Sequence, residues 1–210
     1  MTWKNIILLI VTPALQTVFF FGLIFGAANL IQSHAYVCNT MFCIFIVLIG
    51  YCRCLKPYKW EIVGLVITVG GVACMFADPD AVRTDGKQGE FYVYAVCIFC
   101  AFVASFWMLC NDELIHAMPL FFNLFVQTLI GEVFIVIIIY CISHDEFKFF
   151  SLDKNWGAFG MFHSDEVVTA FFVYGPSAGF FGVAGYVCAL KFFSPVVVSA
   201  AFLFEPAISQ

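Results

Sequence analysis

The sequence predicts an all-α protein, a polytopic bundle of transmembrane helices. Hydrophobic residues make up 63% of its 210 positions and charged residues only 11%, whereas a soluble globular chain is about 25% charged. Aromatic residues account for 19% and include 28 Phe. A single soluble core of this length would not cover so much apolar surface, and lipid is the solvent that fits such a composition.

Seven apolar segments are long enough, or nearly so, to cross a hydrocarbon core, which takes about 20 residues. They cover residues 6–28, 35–52, 60–77, 91–110, 119–142, 167–190 and 194–210. The first apolar run is too long for a secretory signal peptide, so it is interpreted as a membrane span. Each segment therefore predicts one helix of an integral, multi-pass membrane protein, in a membrane that the sequence does not identify.

The charges between the segments predict an orientation. The loop at 53–59 holds Arg53, Lys56 and Lys59, whereas the loops 78–90 and 143–166 are rich in Asp and Glu. Because positive residues accumulate in cytoplasmic loops, the loop at 53–59 is predicted to be cytoplasmic, and both acidic loops, 78–90 and 143–166, are predicted to be extracytoplasmic or lumenal.

Several classes of function find no support in the sequence. No basic cluster of the kind that binds nucleic acid is present, and no catalytic, phosphate-binding or dinucleotide motif occurs, so an enzyme and a bound cofactor are not expected. The ten Cys lie mostly within apolar runs and are interpreted as packing residues. No metal site is predicted, because Cys97 and Cys100 lack the second pair of ligands that zinc requires.

An internal repeat relates the first span to the sixth. Residues 18–30, VFFFGLIFGAANL, align with residues 178–190, AGFFGVAGYVCAL, at an offset of 160. If the repeat holds, the complete protein has ten helices in two halves of five, and the chain is expected to continue beyond both ends. An odd number of helices inverts the second half, which is the 5+5 inverted-repeat arrangement of many secondary transporters.

Two segments resemble the drug/metabolite transporter superfamily, specifically its EamA-like group. Residues 55–76, with Gly64 and Gly70-Gly71, are similar to the span that closes a repeat. Residues 192–209, with Ser194-Pro195 and Glu205-Pro206, are similar to the preceding span of the second repeat.

The resemblance implies the domain organisation and a function. Residues 1–77 correspond to the last three helices of the first EamA-like repeat, and residues 91–210 to the first four helices of the second, truncated at the C-terminus. The expected function is multi-pass transport of a small metabolite by alternating access, with the lipid bilayer and a small-molecule substrate as partners. Neither the substrate nor the oligomeric state follows from the sequence.

Polar residues within the spans are the candidates for a substrate or proton pathway. They are Gln16, Asn123, Gln127, Glu132 and Glu205. An ionised acid at the centre of a membrane helix is costly, by about 2.5–3.5 kcal/mol on insertion scales, so the two glutamates point to a polar cavity and to coupling with protons. The alternative for each is a structural hydrogen bond to a neighbouring helix or to backbone at the membrane boundary.

Glycines on the first and sixth spans predict close helix packing. Small residues at intervals of three, four or seven let two helix backbones approach closely. The predicted packing positions are Gly22, Gly26, Gly175, Gly179 and Gly182. A different reading of the whole chain, as a seven-helix membrane receptor or sensor, follows from the visible number of spans and requires the last span to be complete.

Overall fold

The structure is a computed structural model and describes residues 3–30, 32–53, 59–77, 91–142, 151–152, 159, 162–163 and 167–202. The elements in chain order are α1 (Trp3–Asn29), α2 (Gln32–Thr40), α3 (Phe42–Cys52), α4 (Lys59–Ala77), α5 (Phe91–Ala117), α6 (Leu120–Ile142), α7 (Val167–Thr169), a π-helix (Ala170–Ala184), α8 (Gly185–Leu190) and α9 (Pro195–Phe202). Helix is thus the one regular element in the described part of the chain, which confirms the all-α class.

Four stretches of helix are long and apolar enough to cross a membrane. Within the described residues they are Trp3–Asn29, His34–Cys52, Phe91–Ala117 and Leu120–Cys141. They agree with four of the predicted spans and identify the chain, by length and composition, as a membrane protein. The other three predicted spans, the inverted repeat and the sidedness of the loops stay predictions. Loop 78–90 and Glu205 lie outside the described residues.

The junction between α5 and α6 follows from local backbone chemistry. The helical hydrogen bonds of α5 continue to the Met118 amide, which donates to the Leu114 carbonyl at 3.1 Å. Pro119 follows, and a residue that precedes proline is disfavoured in the helical conformation. The Pro119 carbonyl then accepts from the Asn123 amide at 3.0 Å and begins α6. The break is short, so two long helices follow one another directly.

The chain divides into two compact units. The first contains Met1–Ala14 and Leu114–Phe192, and the second contains Leu15–Glu113 and Phe193–Gln210. The first unit thus combines the beginning of α1 with α6, the π-helix and α8. The second combines the rest of α1 with α2, α3, α4, α9 and the part of α5 that ends at Glu113.

The core of the second unit is built from small and branched side chains. Its centre comprises Leu30, Ala35, Cys38, Val93 and Cys97, all buried. Aromatic rings extend this packing, since Phe19 stacks on Trp107 with centroids 5.7 Å apart and meets Phe42 edge-on at 5.9 Å. The thiols in this core are reduced and buried, in agreement with their interpretation as packing residues.

Candidate functional site

A buried polar stripe runs along one side of α6. Asn123 and Gln127 are one helical turn apart, so their side chains share a face. Both are buried, at 0% and 3% exposure, although most of the large apolar side chains of the same helix are exposed. Gln127 Nε2 donates a hydrogen bond to Asn123 Oδ1 at 2.9 Å. The helix therefore turns these two amide side chains inward, whereas most of its large apolar side chains face outward.

One hydrogen-bond donor of this stripe has no acceptor among the described residues. Asn123 Nδ2 is buried, and no hydrogen-bond partner for it lies in the described part of the chain. Leaving a buried amide donor unsatisfied costs about 1–3 kcal/mol. Such a group is suited to bind a hydrogen-bond acceptor, such as a hydroxyl, carbonyl or carboxylate oxygen.

The beginning of α1 lies beside this stripe in the first unit. A Cβ added to Gly131, one turn beyond Gln127, would lie 4.0 Å from Pro13 Cβ. Pro13 and Thr12 are both buried. Thr12 Oγ1 donates to the Leu8 carbonyl at 2.6 Å, which satisfies this hydroxyl within its own helix. A proline turn of one helix therefore faces the polar stripe of another.

Glu132 lies elsewhere on α6. It is exposed, and nine residues separate it from Asn123, which is about 180° around a helix. Thr128, one turn before Glu132, is also exposed, and its Oγ1 donates to the Leu124 carbonyl at 2.9 Å. The structure thus brings Asn123 and Gln127 together and directs Glu132 to another side of the helix. Gln16, half-buried on α1, belongs to the second unit.

The predicted packing glycines differ in their surroundings. A Cβ on Gly22 would overlap Cys100 Cβ and lie 2.7 Å from Cys100 Sγ. A Cβ on Gly26 would lie 2.8 Å from Cys97 Sγ and 3.2 Å from Ala35 Cβ. At these two glycines α1 therefore approaches α5 so closely that no side chain fits.

On the sixth span the glycines are in a different environment. Gly182 is exposed, and the atom of the described residues that a Cβ there would meet is the Ser177 carbonyl oxygen of the same helix, at 3.5 Å. Gly175, Gly179 and Gly182 all lie in the π-helix, which also contains Pro176. A π-helix has i→i+5 hydrogen bonds and hence more residues per turn than an α-helix. Residues spaced by three, four and seven therefore do not form the single face that α-helical spacing predicts.

The second unit contains a polar contact that was not predicted from the sequence. His34 is buried at 2% exposure, and its Nδ1 lies 2.9 Å from the Tyr94 hydroxyl. Asn39 is also buried; its Nδ2 donates to the Ala35 carbonyl at 2.9 Å, and its Oδ1 lies 3.4 Å from the position of a Cβ on Gly22. The four-residue spacing of Ala35 and Asn39 was the available signal, because it places both on the face that packs against α1.

The described residues contain no group of three or more His, Cys, Asp or Glu side chains arranged to hold a metal ion. The stripe formed by Asn123 and Gln127 can therefore form hydrogen bonds through its amide groups. It contains no pair of groups arranged for acid–base or nucleophilic catalysis. Comparison of the chain with protein-family models, curated proteins and solved structures finds no match in any of the three.

Proposed function

We propose that the protein is a membrane carrier that moves a small metabolite by alternating access, as a member of the EamA-like group of the drug/metabolite transporter superfamily. One observation carries the proposal: Asn123 Nδ2 is buried on a mainly apolar helix and has no hydrogen-bond partner among the described residues. A polar group is expensive to bury in a membrane protein, and those that are kept there commonly line a path for a substrate or an ion.

The irregular helices of the first unit support the same function. Pro13 lies inside α1, and Pro176 lies inside the π-helix. A proline removes the backbone donor that would bond the carbonyl four residues earlier. Within a membrane such backbone is tolerated where it is buried in protein or lines a cavity. Helices whose regular backbone bonding is disturbed near the midplane form the binding sites of many secondary transporters, and a proline within a helix is one cause of such a disturbance.

Counterflow in liposomes tests the proposal. The full chain is purified, reconstituted and preloaded in turn with an unlabelled sugar, nucleotide sugar, amino acid or lipophilic amine, and uptake of the labelled compound is measured. A carrier that alternates between two sides gives uptake that is stimulated by internal substrate for one of these classes. Folded, reconstituted protein that gives no stimulated uptake with any class would overturn the proposal. Saturable binding of a compound without its transport would favour the alternative function, a seven-helix membrane receptor or sensor.

Asn123→Leu provides the matched variant for the site. It keeps the approximate size of the side chain and removes both the donor and the acceptor of the amide. We therefore expect the rate of counterflow to fall about tenfold, which corresponds to the loss of about one hydrogen bond. Phe122→Leu, at an exposed neighbouring position, is the control and should leave counterflow unchanged. Equal activity of the two variants would exclude Asn123 from the path. Glu205 keeps its predicted role as a proton-linked group of the same carrier.

A further inference from the structure

The outward side of α6 carries a regular seam. We use "the α6 seam" for Phe121, Phe125, Thr128, Glu132, Ile135 and Ile139, all of which are exposed. Their intervals alternate between four and three residues, which is the heptad spacing of two helices that cross at a small left-handed angle. The seam thus has the geometry of a helix–helix contact, and no helix in the described part of the chain covers it.

Glu132 is the residue of the seam that is costly to expose to lipid, because its side chain ends in a carboxyl group. It is the thirteenth residue of α6 and lies about 18 Å along the helix axis at 1.5 Å per residue. That distance is more than half of a hydrocarbon core about 30 Å thick. Within the described residues its carboxyl forms no hydrogen bond or ion pair. A carboxyl exposed to lipid at this depth requires a polar partner, which the described residues do not supply.

We propose that the α6 seam is the contact with a second copy of this chain, in which the two Glu132 carboxyl groups bond to each other across a two-fold axis. In a symmetric dimer with its axis along the membrane normal, identical residues lie at identical depth. A carboxylic acid has one donor and one acceptor, so it is its own complement. A hydrogen bond between the two groups requires that one of them carries the proton it donates.

The charges of the chain favour a carboxyl pair over an ion pair. The described cations lie at or just beyond helix ends: Lys4, Arg53, Lys59 and Lys191. None of them shares the mid-helix position of Glu132. The complement that a second copy offers at that depth is Glu132 itself, with the Thr128 hydroxyl one turn away. Polar residues at heptad positions also fix the register of such a contact, as they do in soluble coiled coils.

Cysteine cross-linking in liposomes tests the contact directly. In the background variant, Cys52 and Cys141, which are the exposed thiols among the described residues, are replaced by serine in the full chain. One of two cysteines is then added: Ile135→Cys on the seam, or Ile137→Cys, which lies about 200° away around the helix. Random collision favours Ile137, because it is 50% exposed and Ile135 only 36%. After mild oxidation we expect a product of twice the chain mass, about tenfold more abundant for Ile135→Cys, since a disulfide requires close, aligned Cβ atoms.

Several results would overturn the proposal. They are equal cross-linking at both positions, no cross-link at either, or a product of different mass, which would indicate lipid or another protein on the seam. The background without an added cysteine measures any contribution of the remaining thiols.

Variants of Glu132 separate the carboxyl pair from simple apolar packing. Glu132→Gln retains a self-complementary donor and acceptor, whereas Glu132→Leu retains neither. Dimer dissociation is measured by energy transfer between labelled copies as the liposome lipid is increased. We expect the Leu variant to dissociate at least about threefold more readily, the change that corresponds to one average interhelical hydrogen bond, and the Gln variant to resemble wild type. A Leu variant that associates as tightly as wild type would refute the pair, whatever the result of the transport assay.

Discussion

Gly22→Ala is the substitution whose effect follows most directly from the geometry. The added Cβ overlaps Cys100 Cβ and comes within 2.7 Å of Cys100 Sγ. The thiol can rotate away, but Cys100 Cβ is fixed to the backbone of α5, so one of the two helices has to shift. Overpacking of this kind costs about 1–3 kcal/mol. We expect the free energy of unfolding, measured by titration with dodecyl sulfate in mixed micelles and followed by circular dichroism, to fall by that amount.

Two further variants make the interpretation of Gly22→Ala specific. Gly64→Ala on α4 adds the same methyl group where no atom of the described residues lies within 4 Å, so it should be neutral or stabilise by about 0.5–1 kcal/mol through helix propensity. Cys100→Gly removes the atom that the new methyl overlaps. The double variant Gly22→Ala/Cys100→Gly should therefore be more stable than the sum of the two single changes predicts. Equal stability of the Gly22 and Gly64 variants, or strict additivity, would refute the close contact.

Two predictions concern the remaining side chains. Maleimide added to the folded protein should modify the exposed Cys141 and leave the buried Cys38 unmodified until the chain is unfolded, as read by mass spectrometry; early modification of Cys38 would contradict its burial. Tyr94→Phe should lower the free energy of unfolding by about 1 kcal/mol because the hydroxyl loses its bond to His34 Nδ1. The exposed Tyr92→Phe serves as its control, and an equal effect of both would argue against the bond.

The positions of the long helices could be predicted from the sequence, but their ends could not. Residues 119–142 were predicted as a span and α6 is Leu120–Ile142. The fourth span was predicted to end at residue 110, whereas α5 continues to Ala117 through Asn111, Asp112 and Glu113. Hydropathy marks the thickness of the hydrocarbon core, whereas helical hydrogen bonds also continue through polar residues, until Pro119 interrupts them.

The candidate site was predictable only in part. The spacing of Asn123 and Gln127 places them on one face of any α-helix, but spacing does not show which face is buried. Apolar side chains gain little from burial when lipid is the alternative, so the polar groups and the neighbouring helices decide the orientation. The π-helix at Ala170–Ala184 was not predictable from apolar residues and glycines, because the choice between hydrogen-bond patterns depends on local packing that composition does not encode.

The two faces of α6 lead to one structural requirement. Asn123 and Glu132 lie about 180° apart around the helix, so no single neighbouring helix can contact both. The chain covers the Asn123 face with its own residues and leaves Glu132 exposed. A membrane helix with polar groups on opposite sides requires two polar neighbours, because lipid satisfies neither group. If the face of α6 that holds Asn123 binds a substrate, as proposed, the face that holds Glu132 can contact a second copy of the chain throughout the transport cycle. The same helix would then be the fixed element of a dimer, against which the other helices of each copy can move.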